Sequence, residues 1–305
     1  MKTFRSNGKL LLTGEYVVLD GAVALAIPTK YGQSLSITPN KTQKIYWKSF
    51  DDQKNIWFET EVDLEFILTS KLTGIHPNTT NSRLQQILCA ARMLNPEFLN
   101  TNSGFKIETY LDFPKNWGLG TSSTLINNVA QWAHVDAFKL LKLTFGGSGY
   151  DIACAQNNTP ITYRLESEKP TIKQVDFNPS FAKHLYFVYL NKKQNSRDGI
   201  AHYRALQQDL KPIISEIDAL TEEMIACKDE TRFEKLIEAH EHIISKTIQQ
   251  PTVKSLYFND FEGAIKSLGA WGGDFILASS KKDPNLYFKN KGFDIVIPYN
   301  AMILK

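Results

Sequence analysis

The chain holds three cysteines in 305 residues, Cys89, Cys154 and Cys227, and no two of them form a CxxC pair. A disulfide framework or a zinc ribbon needs paired thiols, so neither fits, and isolated thiols suit a reducing compartment. No apolar run approaches the ~20 residues that cross a bilayer. Residues 1–21 are apolar only in patches, broken by Gly8, Gly14, Glu15 and Asp20, with neither a signal-peptide h-region nor a small-residue cleavage site. Charge of one sign is scarce as well: 35 Lys and Arg stand against 32 Asp and Glu, a net +3. That is too mild for a footprint on nucleic acid or anionic lipid, while a pocket for a small anion needs only a few cations. The expectation is a soluble, cytoplasmic monomer or homodimer that handles a small anionic substrate, with no nucleic acid and no membrane as partner.

What is present is globular: 42% hydrophobic, 11% aromatic and 22% charged residues, with ample length for a buried core. Residues 9–19 and 22–28 read as short buried strands separated by Asp20-Gly21, and 33–38, 44–50 and 56–62 continue the β pattern. Helical spacing of Leu84, Ile87, Leu88 and Ala91 predicts a helix over 81–95, with Pro96 just past its end. A strand is predicted at 104–113, then a glycine-bearing turn, then a helix from about Ser122 toward Leu141. Segments 160–165 and 184–190 read as strands. From Asp198 to about Gln249 the pattern predicts two long amphipathic helices that break at Cys227-Lys228-Asp229, and short strands at 274–278 and 293–297 close the chain. The change of texture near residues 165–185, with no linker tract, argues for an α+β protein in two lobes.

Three glycine clusters carry the chemistry. Pro114-Lys115-Asn116-Trp117-Gly118-Leu119-Gly120-Thr121-Ser122-Ser123 joins a strand to a helix. Gly118 and Gly120 permit backbone angles at which successive N–H groups converge, and the helix start adds free N–H groups and a positive dipole end. Such a turn can cradle phosphate, with a hydroxyl in reach of Mg²⁺; it can also be a Ser/Thr-capped helix start and nothing more. It is not a Walker A loop, since GxxxxGK[ST] occurs nowhere, nor a dinucleotide fingerprint, since Ser123 stands where the third glycine belongs. Gly146-Gly147-Ser148-Gly149-Tyr150-Asp151 sets a carboxylate at the end of a permissive loop. Gly269-Ala270-Trp271-Gly272-Gly273-Asp274 lies between two apolar segments. Together they suggest the walls of one anionic-ligand pocket.

In order and spacing, these segments resemble the motifs of the GHMP kinases. Ser6-Asn7-Gly8-Lys9-Leu10-Leu11-Leu12-Thr13-Gly14-Glu15-Tyr16 is similar to the first motif, PGK-x-x-L-x-GE[HY]; Pro114 to Ser123 to the second, Px₃GLGSS; and Gly269 to Asp274 to the glycine-rich third. Within the superfamily, GSGYDIACA followed by ITYR resembles the GSGFDVA…YR segment of phosphomevalonate kinases, with mevalonate kinases the near neighbour. The resemblance implies the two-lobe GHMP fold: a ribosomal-protein-S5-domain-2-like, ATP-binding lobe over 1–175 and a ferredoxin-like lobe over 176–305. It also implies a phosphotransferase that moves the γ-phosphoryl group of ATP, with Mg²⁺, to a mevalonate-pathway acceptor, phosphomevalonate or mevalonate, in isoprenoid biosynthesis. Alternatives are a diphosphomevalonate decarboxylase-like enzyme and a non-catalytic ligand-binding homologue.

Site roles follow from that resemblance. Asp151 matches the catalytic aspartate, although an acid there also suits a helix N-cap, and Lys9 matches the lysine beside the transferred group. Gly118, Leu119, Gly120, Thr121, Ser122 and Ser123 match the ATP-binding loop, with Ser122 in the position of the Mg²⁺-binding serine. Glu15, Tyr16, Ser148, Gly149, Gly272 and Gly273 fall on the acceptor side. Arg197 stands where relatives often carry Thr; it could grip an acceptor phosphate or carboxylate, or be a surface residue. Three departures stand out. Residues 138–142 lack the glutamate that mevalonate kinases use as a second Mg²⁺ ligand, Asp136 being the nearest acid. Trp117 and Trp271 replace small residues and either narrow the acceptor pocket or pack. His240-Glu241-His242 is not HExxH, and its residues two apart point to different faces, so it reads as a solvated helix surface.

Overall fold

The computed structural model describes residues 1–206 and 208–304, which divide into two compact units interleaved in sequence. Unit 1 comprises Met1–Gly8, Tyr31–Lys115 and Leu119–Gln156; unit 2 comprises Lys9–Lys30, Asn116–Gly118 and Asn157–Lys305.

The strands of unit 1 are β1 (Lys2–Leu11, its first seven residues), the second half of β2 (Ala24–Pro39), β3 (Lys44–Phe50), β4 (Ile56–Asp63) and β5 (Phe105–Leu111). The order is β4-β3-β5-β2 with β1 on β2; β3 runs parallel to β5 and the pairs β3/β4 and β2/β5 are antiparallel. Alternate residues Ile45 and Trp47, Leu35 and Ile37, and Ile107 point to one face. That face packs on the helices α1 (Leu64–Thr69), α2 (Thr80–Leu94), α3 (Thr121–Ala133) and α4 (Ala137–Thr144), through Leu84, Ile87, Leu88, Ile126, Val129 and Leu140. Helix α5 (Tyr150–Gln156) lies against α3.

Unit 2 holds the first half of β2, whose Ala24–Ala26 pairs with β6 (Ile161–Glu166), and β6 forms an antiparallel pair with β7 (Lys169–Gln174). Its second sheet has the strands β8 (Leu185–Tyr189), β9 (Ile265–Ser267), β10 (Phe275–Ser279) and β11 (Val296–Pro298) in the order β11-β8-β10-β9. All three pairings are antiparallel. Numbered along the chain, this is a 4-1-3-2 sheet, the ferredoxin-like order. Its helices are α6 (Ser196–Ala205), α7 (Lys211–Ala226), α8 (Glu230–Ile248), α9 (Val253–Tyr257), α10 (Asn285–Asn290) and α11 (Tyr299–Met302).

The strands expected at 22–28 and 33–38 are one strand, β2, and the strand expected at 293–297 is only Val296–Pro298; three further differences from the sequence pattern follow. Residues 12–20 are not strand: Gly14 (φ +82°) and Tyr16 (φ +63°) turn the chain, and Val17 and Val18 bury themselves from a single 3₁₀ turn. The helix expected from Ser122 to Leu141 is two helices. His134 takes a left-handed φ of +55°, the Val135 N–H returns to the Ala130 carbonyl at 3.0 Å, and Asp136 caps α4 through the N–H groups of Phe138 and Lys139. The tract from Asp198 to Gln249 contains three helices, with the expected break at Cys227–Asp229, where Asp229 caps α8.

Candidate active site

The strand-to-helix turn is built from glycine geometry. Gly118 has φ +69° and Gly120, the residue before α3, has φ +97°. Gly120 has no side-chain oxygen to accept from the first amides of α3, whose N–H groups lack intrahelical partners. Of the hydroxyls that follow, Ser123 donates to the Gly120 carbonyl at 2.9 Å and is buried, and Thr124 bonds the same carbonyl and the Gln33 side chain. Ser122 is exposed. Behind the turn, α3 is held by buried amides: Asn128 accepts from Ser6 Oγ (2.8 Å) and donates to the Gln33 carbonyl (3.0 Å), and Asn127 donates to Ser6 Oγ (2.9 Å). Satisfied polar networks of this kind fix one helix position more strictly than apolar packing does.

In the second glycine loop, Gly146, Gly147 and Gly149 have φ of +69°, +99° and +90°. They lead into α5, where Asp151 is half-buried in the first turn and accepts from the Ile152 N–H at 3.0 Å. Ser148 is half-buried and Gly149 buried.

In unit 2, Lys9 Nζ donates to the Gly118 carbonyl at 2.8 Å. Asp274 also lies against Gly118, and its carboxyl group occupies the space a Cβ at Gly118 would need. Gly272 (φ +80°) and Gly273 lie beside Gln194; a Cβ at Gly273 would stand 2.9 Å from both Gln194 Cβ and the Lys192 carbonyl. Gln194 donates its side-chain amide to the Trp271 carbonyl at 2.9 Å. Tyr16 Oη accepts from the Trp271 N–H at 3.2 Å, and its ring meets Tyr203 at 5.7 Å. Burial pushes the Tyr16 phenol up. Arg197 is exposed in the first turn of α6.

Glu15 has no exposed surface; Lys266 Nζ donates to its Oε1 at 2.7 Å and lies 3.7 Å from Glu241 Oε1. His240 Nε2 accepts the Gly14 N–H at 3.0 Å, and the Ser267 N–H and hydroxyl both donate to Glu241 at 3.0 Å. Burial raises Glu15 against the opposing pull of Lys266, pushes Glu241 up to about 8, and holds His240 well below its ordinary range. The expectation of a solvated His240-Glu241-His242 surface is therefore overturned for its first two members; only His242 faces water. Position explains it. His240 and Glu241 continue the buried stripe of Phe233, Leu236, Ile237, Ile244 and Ile248 at intervals of three and four. Lys266 escaped the sequence reading too, although a lone lysine within Ala-Ile-Lys-Ser-Leu is the signal to look for.

Both tryptophans pack. Trp117 meets the Phe275 ring edge-on at 5.3 Å, and Trp271 is 2% exposed with its Nε1–H on the Pro251 carbonyl. The expected site residues thus divide between the units. Leu119, Gly120, Thr121, Ser122, Ser123, Ser148, Gly149 and Asp151 are in unit 1, and Lys9, Glu15, Tyr16, Gly118, Arg197, Gly272 and Gly273 in unit 2.

No protein-family model matches the sequence, and no curated protein sequence does. Solved structures match it along nearly the whole chain. A Methanococcus jannaschii mevalonate kinase superposes with a TM-score of 0.71 at 17% identity, over 95% of this chain and 94% of that one. Streptococcus pneumoniae phosphomevalonate kinase, in complex with phosphomevalonate and AMPPNP, gives 0.68 at 17% identity over 100% and 98%. Lactococcus lactis galactokinase, complexed with galactose, gives 0.67 at 15% over 95% and 88%. The fold is that of the GHMP kinases. At this identity the GHMP likeness establishes architecture. The Gly118–Ser123 turn lies between β5 and the N-terminus of α3. Among the described residues no helix is long and apolar enough to cross a membrane.

A GHMP kinase would use Mg²⁺. Among the described residues no cluster of three His, Cys, Asp or Glu side chains could hold a cation, and the Asp136 carboxylate is engaged in capping α4. The donor that fits is the exposed Ser122 hydroxyl. One protein oxygen supplemented by phosphates and water is a common way to hold this ion.

Proposed function

We propose that this chain is an ATP-dependent small-molecule kinase that phosphorylates a mevalonate-pathway acceptor, 5-phosphomevalonate first and mevalonate second. The observation that carries the reading is the start of α3: a left-handed glycine with no side-chain cap, preceded by Gly118 and followed by an exposed serine. A helix N-terminus left open in this way suits an anion better than it suits a self-contained cap. The GHMP fold, and the mevalonate and phosphomevalonate kinases among its solved relatives, support the substrate class.

Phosphoryl transfer depends on positioning and on neutralising charge. In this reading the amides from Gly118 to Ser123 grip the β- and γ-phosphates, and Ser122 Oγ would hold Mg²⁺, which would supply further charge neutralisation. Asp151 orients the acceptor oxygen and takes its proton. Lys9 offers its ammonium to the transferred group. Tyr16, Ser148, Gly149, Arg197, Gly272 and Gly273 serve the acceptor, and Glu15, having no exposed surface, serves it by fixing the Gly14–Tyr16 turn. The test is coupled ADP release with mevalonate, 5-phosphomevalonate, homoserine and galactose in turn. Release with one of the first two is expected. Release with neither removes the acceptor assignment, and failure to bind Mg-ATP removes the kinase.

A further inference from the structure

Asp274 ends the third glycine cluster. Its backbone takes φ +53°, a left-handed conformation that Asp tolerates at some cost. It is pinned on both sides: its N–H donates to the Lys192 carbonyl at 2.7 Å, and the Leu190 N–H donates to its carbonyl at 2.8 Å. The Gln194 N–H donates to Oδ1 at 3.2 Å. A side chain anchored this firmly is set against Gly118, where a methyl group in place of hydrogen would collide with Cγ and both oxygens. The Gly118 carbonyl in turn receives the Lys9 ammonium, which also lies 3.9 Å from the Cβ position of Gly269. Lys9, Gly118 and Asp274 therefore form one small assembly from three separate stretches of sequence.

A carboxylate beside a turn expected to hold phosphates repels them unless a cation answers it. Here burial pushes the Asp274 carboxyl up, and among the groups that oppose burial the Lys9 ammonium acts most strongly, ahead of the Gln194 N–H and Lys193. The geometry gives the carboxylate two tasks: a counter-charge for one lysine and a wall for one glycine. Resting on the kinase reading above, we infer that Asp274 is a positioning residue of the phosphoryl-transfer site, which holds the Lys9 ammonium at the Gly118 carbonyl and restricts position 118 to glycine. Loss of the carboxylate would leave the lysine held by the Gly118 carbonyl alone, without its counter-charge, so chemistry would suffer more than nucleotide binding.

The test uses Asp274→Asn, which keeps the shape and removes the charge, in the full chain. Acylation of Lys9 Nζ by acetic anhydride, followed by mass spectrometry at neutral pH, is expected to quicken threefold or more, because a nearby carboxylate favours the unreactive ammonium. With the acceptor that supports turnover, kcat is expected to fall about tenfold or more while KM for ATP stays within about threefold. Lys9 acylation quickened less than threefold, or kcat within threefold of wild type, overturns the role. If the wild-type chain turns over no acceptor, the kinase reading fails by itself, and the acylation rate still decides whether Asp274 governs Lys9. Should Asp274→Asn fail to fold, Asp274→Gly carries the same test, since glycine takes φ +53° without strain.

Discussion

A lysine and a glutamate with no exposed surface, 2.7 Å apart, hold the first motif to the strand before the third. Removing one partner of such a pair leaves an uncompensated charge where water cannot reach it, at a cost of about 3–5 kcal/mol. Lys266→Met is therefore expected to destabilise the chain by that amount in urea titration. Glu15→Gln combined with Lys266→Met should recover most of the loss, since the double variant leaves no orphan charge. Additive losses would mean that the two side chains act separately. Asp151→Asn makes a different demand: turnover should drop by about a hundredfold or more with nucleotide affinity retained, if it takes the acceptor proton. Single-turnover kinetics beside calorimetric titration of ATP separates the two. Neither Lys266 nor Glu241 was legible as a site residue, because nothing local in sequence distinguishes a buried charge from a solvated one. Its partner lies 251 residues away for Lys266.

Elements were legible wherever a local signal dominates. Period-2 alternation in Lys44–Phe50 and the period-3.6 spacing in Thr80–Leu94 each predicted the element that forms. The glycine turn before α3 was legible for the same reason, since its φ angles demand glycine at named positions. The pattern failed where tertiary burial replaced local order: Val17 and Val18 are as apolar as a strand requires, yet they are buried from a turn that Gly14 and Tyr16 create. It failed also between α3 and α4, where a left-handed histidine and an aspartate cap interrupt an apolar period that continues across them. The open start of α3 yields a prediction of its own. Gly120→Ala forces a Cβ into φ +97°, at a strain of ~1–2 kcal/mol, and moves the amides proposed to meet phosphate. Thermal midpoint and ATP affinity should both fall. Gly74→Ala is the control; its φ is not left-handed and nothing lies near its Cβ position, so neither quantity should change.

For the whole molecule the buried charges set how stability varies with pH. Glu241 titrates at about 8 in the folded chain, against an ordinary value of 4.5, because burial outweighs the help of Lys266 and the Ser267 donors while Glu15 adds repulsion. In the folded state it keeps a proton that the unfolded chain has already released, so its contribution is complete below pH 4.5 and is lost as pH rises through 8. His240 works in the opposite sense. Burial and the Lys266 charge hold it neutral far below its ordinary 6.5, so its contribution is present above that pH and is lost on acidification. Between pH 6.5 and 8 Glu241 dominates, with Glu15, also raised by burial, acting in the same sense and His240 adding only the end of its gain, so the wild-type thermal midpoint should decline across that interval. At ~1.4 kcal/mol per unit of pH, the loss is about 2 kcal/mol, which in a chain of this size lowers the midpoint on the order of 5 °C. Glu241→Gln keeps a neutral side chain of the same shape and should flatten the curve there, so that the variant gains on wild type as pH rises. Differential scanning fluorimetry of both proteins in matched buffers at pH 6.5, 7.25 and 8 reads the difference directly. Parallel curves would mean that Glu241 is ionised in the folded chain, with Lys266 shared between two carboxylates rather than committed to Glu15.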